Sequence, residues 1–377
     1  MAVLLPYAWS PVYRFPDATS FPGSSLYNPY AGGAGAWKRA NLHAHGYAWA
    51  GLTSGEQPSA DVVRTYRSLG YDIAGISNYQ TIAAQNGIDT LPLYEHGYNI
   101  SKRHQLAIGA RTVDWMDYIF WQSLSQQQHI LDRQHARAEL VGLTHPRTRN
   151  AYSASDLAKL TRYHFVEIVN GPFDAAQPWD AALSSGHAVW AMANDDTHDT
   201  TDPRRTGMAW MMIDTPTTSH PDVITALRAG RSYAVGRNDD APSGMDTWLT
   251  AVQVVDGTVQ VSTAGVPATI EFIGDRGASR QVTTRAHLAS YVLHHDDSYV
   301  RAVIESPQVT LYLNPIVRWN GRELGAPMAT IDTAMTWGLR LTVGLALVLA
   351  VGLLWPRRTV LSPAPALALT PTGREIA

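Results

Sequence analysis

Two segments carry the residue types from which a metal site is built: Asn41-Leu42-His43-Ala44-His45-Gly46 and, far downstream, Asn194-Asp195-Asp196-Thr197-His198. Histidines one residue apart on a strand project from the same face, about 7 Å apart along the backbone, so both imidazoles can turn onto one ion. Asp196-x-His198 offers the same geometry from a second strand. In a chain of 14 histidines one His-x-His arises by chance, so the weight falls on the series between these ends. Glu95-His96 follow the apolar run Leu91-Pro92-Leu93-Tyr94, His104 precedes Gln105-Leu106-Ala107-Ile108-Gly109, and Leu140-Val141-Gly142-Leu143-Thr144 ends in His145-Pro146. Each candidate sits where a short apolar strand meets a loop, the position at which α/β barrels carry their chemistry. The expectation is a hydrolytic metal site at one end of a barrel or sheet.

The elements that must position these residues alternate between strand and helix from Trp37 to about Gly236. Ser59 or Asp61 is placed to cap a helix through Val62, Val63, Tyr66 and Leu69, which Gly70 ends. Tyr71–Ser77 then has the pattern of a buried strand. Ser155-Asp156 starts another helix, Phe165–Val169 is a strand, and His220-Pro221 opens a helix through Leu227. Such alternation predicts parallel strands with right-handed crossovers, in a barrel or an open sheet. Residues 246–325 change to alternating runs such as Thr258–Ser262, Ala268–Ile273 and Tyr299–Ile304, which predict a small antiparallel β-sandwich.

The ordered set of candidate ligands resembles the PHP (polymerase and histidinol phosphatase) superfamily of metal-dependent phosphoesterases, over residues 38 to 236. That family runs His-x-His, Thr-Asp-His, a bridging Glu, a His, a His-Pro and an Asp-x-His. Here the pattern falls on His43 and His45, Ser77-Asn78-Tyr79, Glu95, His104, His145-Pro146 and Asp196-Thr197-His198. The segment with Tyr299-Val300-Arg301-Ala302 and Leu313-Asn314-Pro315 is similar to the appended domain of the carbaryl-hydrolase-like branch. The resemblance implies an α/β fold, a distorted (β/α)7 barrel over residues 37–236 followed by the sandwich. It also implies that His43, His45, Glu95 and Asp196 hold one divalent ion, and Glu95, His104 and His145 a second. Asn78-Tyr79 stand where the family has Asp-His, and Tyr47–Leu52 offer no ligand, so the third metal of trinuclear members is not expected. His198 is then left as an acid, a base or a phosphate contact.

Two ions about 3.5–4 Å apart, bridged by a carboxylate and a hydroxide, supply a nucleophile near neutral pH and clamp the reacting oxygens. Mixed imidazole and carboxylate ligands suit zinc, manganese or iron, whereas a thiolate site is excluded because cysteine is absent. Arg147 and Arg149 after His145-Pro146, Lys102-Arg103 before His104, and Arg204-Arg205 after Asp-x-His favour a small anionic substrate, Arg147 being the first choice. Tyr79 is expected to fill the space of the altered motif, the alternative being a hydrogen bond to substrate. His96 adjoins Glu95 and is a candidate for outer support of the site. His129, His135, His164, His187, His220 and His287 are expected on the surface or at caps, and His294-His295-Asp296-Asp297 in a polar hairpin. A carboxylic or carbamate ester hydrolase, and a binding module that has lost turnover, are the competing readings.

A net charge of -3 without a basic tract argues against a nucleic-acid surface. Absent cysteine rules out disulfides and thiol catalysis. Residues 1–36, rich in Pro, Gly, Ser and Tyr, predict an extended leader. Residues 337–355 carry no charge after Arg340 and are long enough for a single bilayer span, with Trp337 and Trp355 at its ends. In the short tail, 356–377, Arg357-Arg358 favour a cytoplasmic C-terminus and an extracytoplasmic enzyme domain. Export of that domain requires a signal, and Met1–Leu5 is too short for one, so the expectation is an apolar segment upstream, the alternative being a tail-anchored protein with its domain in the cytoplasm.

Overall fold

The computed structural model describes residues 4–53, 55–83, 91–171, 173–238, 244–322, 324 and 327–354, so Trp355, Arg357, Arg358 and the tail 356–377 lie outside the described residues. Pro6 in the first turn starts α1 (Leu5–Trp9), and the chain then runs extended through β1 (Tyr13–Arg14) and β2 (Ser25–Tyr27). This segment is tied to the body. β1 pairs with Thr330–Ile331, β2 pairs with Ile316–Trp319, and the Tyr27 ring stacks 6.2 Å from Trp190.

Next come β3 (Trp37–Asn41) and α2 (Ser59–Ser68), which buries Val62, Val63 and Tyr66 on one face. Neither Ser59 nor Asp61 caps α2. Pro58 is the N-cap residue, Asp61 lies in the first turn where the helix dipole favours an acid, and Gly70, at φ +82°, takes the left-handed turn that ends it. β4 (Ile73–Ala74), β5 (Leu93–His96) and β6 (Gln105–Ile108) follow. α3 (Leu124–His135) begins with a reciprocal capping box between Ser123 and Gln126. After β7 (Leu140–Leu143), α4 (Ala154–Leu157) begins with the same device between Ser153 and Asp156. The strand-helix alternation continues with β8 (Phe165–Asn170), β9 (Phe173–Asp174), α5 (Ala176–Leu183), β10 (Trp190–Asn194), β11 (Ala209–Asp214), α6 (His220–Arg228) and β12 (Ser232–Arg237).

These strands fall into two sheets. One has the order β10-β8-β7-β6-β5, and the other contains β12-β11-β3-β4. The expectation of parallel pairing throughout is corrected. β10–β8, β8–β7 and β3–β4 are parallel, but β7–β6, β6–β5, β11–β3 and β11–β12 are antiparallel. Between β5 and β6 the physical reason is visible. The link from Gly97 to His104 holds no helix, and a parallel return needs a crossover of a dozen or more residues. No continuous ladder closes a barrel among the described residues. The sheets instead meet at two parallel bridges, Ala44↔Thr197 and Tyr79↔Glu95.

Beyond residue 246 lie β13 (Thr247–Val255), β14 (Thr258–Gly265), β15 (Ala268–Gly274), β16 (Ala278–Ala286), β17 (Leu288–Val292), β18 (Tyr299–Glu305), β19 (Val309–Leu313) and β20 (Ile316–Trp319). Alternation buries Leu249, Val252, Val259 and Val261 against Ile270, Phe272, Ile304 and Leu311. β13-β14-β17 form a three-stranded antiparallel sheet, but the strands of the facing layer belong to a larger one. β19 pairs with β12 from Tyr233↔Leu313 to Arg237↔Val309, which makes β15, β16, β18 and β19 continuous with β11 and β3. A buried bidentate pair adds to the joint: Arg301 on β18 donates to Asp180 on α5 at 2.8 and 2.7 Å.

β21 (Thr330–Ile331) leads into α7 (Thr333–Leu354). Thr333–Leu353 has a mean hydropathy of 1.7 and only 6% of its most apolar stretch is buried, so it is long and apolar enough to cross a membrane.

Candidate metal centre

His43 and His45 follow the end of β3, Glu95 lies within β5, His104 immediately precedes β6, His145 follows β7, and Asp196 follows β10. Strand ends from both sheets thus converge on one point. Two groups form there, His43, His45, Glu95 and Asp196 in one and Glu95, His104 and His145 in the other, each with ligand atoms within 4.8 Å of one another. All six residues are buried except Asp196, which is partly exposed.

Glu95 is the hinge of the arrangement. Its Oε1 lies 2.8 Å from His104 Nδ1, 3.0 Å from His145 Nε2 and 3.4 Å from His43 Nε2, while Oε2 lies 3.2 Å from His45 Nε2. Asp196 Oδ1 faces His43 Nε2 at 3.1 Å and His45 Nε2 at 3.2 Å. Ligands bound tetrahedrally at about 2.1 Å from an ion stand about 3.4 Å from each other, close to these separations. His43 Nε2, His45 Nε2, Glu95 Oε2 and Asp196 Oδ1 are buried without a hydrogen-bond partner. Buried polar atoms left in that state are costly, and divalent cations would satisfy them. The residues present therefore fit the ions expected from their types.

The backbone is bent to bring these atoms together. His145 (φ +31°) and Asp196 (φ +50°) both occupy the left-handed region although neither is glycine, a strain of the kind found at functional sites. One side chain and one backbone carbonyl hold the bends. His145 N–H donates to Glu167 Oε2 at 2.8 Å, and Asp196 N–H donates to the His43 carbonyl at 2.9 Å. Asp195 points away from the ligands, accepting from the Gly207, Met208 and Ala209 amides and the Tyr66 hydroxyl.

Glu167 was not distinguished in the sequence. It is buried in β8, with Oε1 3.0 Å from His43 Nδ1, and it also accepts from the Asn170 and Asn194 side chains. A carboxylate so placed fixes the tautomer and orientation of the His43 imidazole, as outer carboxylates do for metal-binding histidines. The available signal was a single acid inside the apolar strand Phe165-Val166-Glu167-Ile168-Val169. Asn41 and Asn194 were missed too. Asn194 Oδ1 accepts from Leu42 N–H at 2.7 Å, and Asn41 Oδ1 accepts from Asp195 N–H at 3.0 Å, so each strand end is stitched to the other.

Charge follows from this crowding. Burial alone would depress His43, but the Asp196, Glu167 and Glu95 carboxylates raise it well above the ordinary imidazole range. His45 and His145 are raised in the same way against their burial, His45 by Asp196 and Glu95 and His145 chiefly by Glu95. Burial would raise Glu95 and Asp196, yet the neighbouring histidines hold both well below the usual carboxylate range. His104 is depressed, mainly by burial.

His198 belongs to neither ligand group. Its ring stacks on His45 at 4.3 Å, its Nε2 lies 3.5 Å from Asp196 Oδ1, and burial together with the His45 charge pushes it down to about 4. Tyr79 stacks on His45 at 4.6 Å and meets His104 edge-on at 5.4 Å, so its ring covers both imidazoles. Asn78 Oδ1 accepts from the Gly46 amide at 2.7 Å and holds the loop. His96 turns away to Gln105 and the Met116 carbonyl.

A cavity of about 890 Å³ opens beside Asp196 and His198, and Arg204, Arg205, Arg237, Asn170, Asp174 and Tyr312 are among the residues that line it. Arg147 is exposed and does not line this cavity. Arg103 is committed to the Ala151 and Gln122 carbonyls, and Arg149 to the Ile100 carbonyl. Of the histidines expected at the surface or at caps, His187 is buried, with its Nε2 against the Ala158 carbonyl, and His164 is half-buried, its Nδ1 accepting from the Val141 amide, because each lies in a short link leading into a buried strand.

No family model matches the sequence, and no curated protein matches it. Among solved structures, the chain is similar to a two-domain protein from Bacteroides vulgatus that contains a predicted PHP-like metal-dependent phosphoesterase. The two share 12% identity at a TM-score of 0.41, over 82% of this chain and 92% of that one.

Proposed function

We propose that this chain is a membrane-anchored, metal-dependent hydrolase of phosphoric esters. The observation that carries the reading is one carboxylate, Glu95, within 3.4 Å of nitrogens from four histidines and shared by both ligand groups. His43, His45, Glu95 and Asp196 would hold one zinc, manganese or iron ion, and Glu95, His104 and His145 a second. When bound, such ions supply an activated water and neutralise charge on the reacting oxygens. Glu95 keeps the two sets in register, and Glu167 holds the His43 ring with Nε2 facing inward. His198, neutral near pH 7, is positioned to accept a proton or to contact a phosphoryl oxygen. Arg204, Arg205 and Arg237 favour an anionic substrate and are better placed for it than Arg147, because they line the cavity. In the same reading β3, β4, β5, β6, β7, β8 and β10 form a distorted seven-stranded ring whose two gaps are spanned by the isolated bridges.

Elemental analysis of the full chain in detergent tests the site. About two ions per chain are expected, with loss of both in Glu95→Gln and of one in His145→Ala. Turnover of p-nitrophenyl phosphate or its diester above that of p-nitrophenyl acetate is the expected preference. Failure to retain metal after loading with zinc or manganese would sink the assignment, and a preference for the acetate would transfer it to carboxylic esters. The basic pair Arg357-Arg358 favours a catalytic body on the extracytoplasmic side. Protease shaving of intact cells should therefore digest it, and full protection would reverse the orientation.

A further inference from the structure

A series of exposed and half-buried aromatic and apolar residues, joined by ring contacts and backbone hydrogen bonds, runs from the base of α7 to the edge of the candidate metal centre. At its start, Arg340 lies over the rings of Trp9 (4.7 Å) and Trp337 (5.1 Å) and donates to the Trp9 carbonyl at 2.9 Å. α1 is thereby held against α7 with Trp9 63% exposed. The Tyr7 ring lies 5.2 Å from Trp121, and its hydroxyl accepts from the Phe120 amide. The Ile119 carbonyl accepts from Ile100 N–H, Tyr98 donates to the Trp115 carbonyl, and Trp115 meets Trp49 edge-on at 5.6 Å. Trp49 then donates to the carbonyl of Tyr79, whose ring covers His45. Trp121 is 64% exposed and Ile100 and Trp115 are each 58% exposed, although aromatic side chains of this size normally bury most of their surface.

Such a surface needs an occupant, and its continuity with α7 indicates which. α7 spans about 33 Å at 1.5 Å per residue, and its apolar surface is almost wholly uncovered. Arg340 and Trp337 near its start are the residue types that sit at the headgroup level of a bilayer. Trp9 is fixed at the same level by its contacts with Arg340, and the rest of the path continues from it. Basic groups lie along the path, with Arg149 on the Ile100 carbonyl and Lys102 5.8 Å from the centre of the Tyr79 ring. Tryptophan and tyrosine fringed by cations form the composition that anionic lipid surfaces attract.

We infer that this aromatic face beds into the headgroup region of the bilayer that α7 enters, so that the catalytic body lies against the membrane with the Trp49–Tyr79 edge of the metal centre beside the lipid surface. The inference rests on the reading of α7 as a membrane anchor. Because the sequence contains no cysteine, single thiols can be introduced into the full chain and spin-labelled without ambiguity. Four sites suffice: Trp121→Cys and Ile100→Cys on the face, Leu345→Cys on α7, and Thr284→Cys on the exposed surface of β16. In vesicles of phosphatidylcholine and phosphatidylglycerol, the ratio of oxygen to nickel-chelate collisions reports depth. The expected result is a ratio at positions 121 and 100 between the high value at 345 and the aqueous value at 284. Aqueous values at 121 and 100 with a buried 345 would overturn the inference and leave the anchor standing. An aqueous value at 345 would remove the anchor and this inference together. Shielding of 121 and 100 from both reagents, unchanged when lipid is omitted, would assign the face to a protein and overturn the inference.

Discussion

At the scale of single residues, the site is a set of mutually dependent charges, and metal must displace protons from it. His43, His45 and His145 are raised in the metal-free fold, so their contribution to stability is fully present below the ordinary imidazole pKa and lost as pH rises through the raised values. Glu95 and Asp196 are lowered, so their contribution is present above the ordinary carboxylate pKa and lost as pH falls through the depressed values. Melting of the chelator-treated chain should therefore be highest at roughly pH 4.5–6.5, between the two ordinary ranges, with the metal-loaded optimum displaced upward. Calorimetric titration with zinc at pH 7 in buffers of different ionisation enthalpy should reveal proton release, and a buffer-independent heat would contradict the charge assignment. Glu167→Gln removes the negative charge behind His43, and a loss of about 10–100-fold in metal affinity is expected by chelator competition. The candidate ligands, which the fold brings together, were legible because metal chemistry restricts them to histidine and carboxylate in a chain without cysteine. Glu167 was not, because one acid in an apolar strand is identified as support only when the imidazole behind it is known.

At the scale of elements, strand existence was legible and strand direction was not. Period-two alternation at Thr258–Ser262 matches β14 because that strand buries one face only, whereas β18, matched by Tyr299–Ile304, is buried on both faces over Tyr299–Ala302. The continuous apolar runs around the site matched β7 and β8, since these are buried on both faces. Direction depends on what the intervening chain does, and the turn between β5 and β6 gives no periodic signal. The joint between β3 and β10 was also hidden, because two asparagine side chains and one isolated bridge make it instead of a continuous ladder. Asn194→Ala leaves the Leu42 amide without its acceptor and Glu167 without one donor, and should destabilise the fold by about 1–3 kcal/mol in urea titrations. The same variant should bind metal more weakly, since both strand ends carry ligands.

At the scale of the whole molecule, the β12–β19 ladder and the buried Asp180–Arg301 pair join the two halves through backbone and charge alike. A continuous sheet predicts one thermal transition for the half with the candidate metal centre and the β-rich half, and two resolved transitions in calorimetry would show that they melt independently. Arg301→Ala leaves the Asp180 carboxylate buried without its cation, and should lower stability by about 3–5 kcal/mol. The two halves are distinguishable in the sequence by their periodicity, but their fusion depends on which edge strands meet, and that requires the structure.

The pairing of β1 with β21 sets the order in which the molecule can be completed. Tyr13 is opposite Ile331, and the Val12 amide and carbonyl are met by Thr336 and Asp332. During synthesis at about 5–20 residues per second, the partner strand emerges roughly 15–60 s after β1. Through that interval β1 lacks its partner strand, although Tyr7 and Tyr13 can already meet Trp121, Ser125 and Asp132. Among the described strands the last one made thus fastens the first, and the clasp closes only when α7 begins to follow.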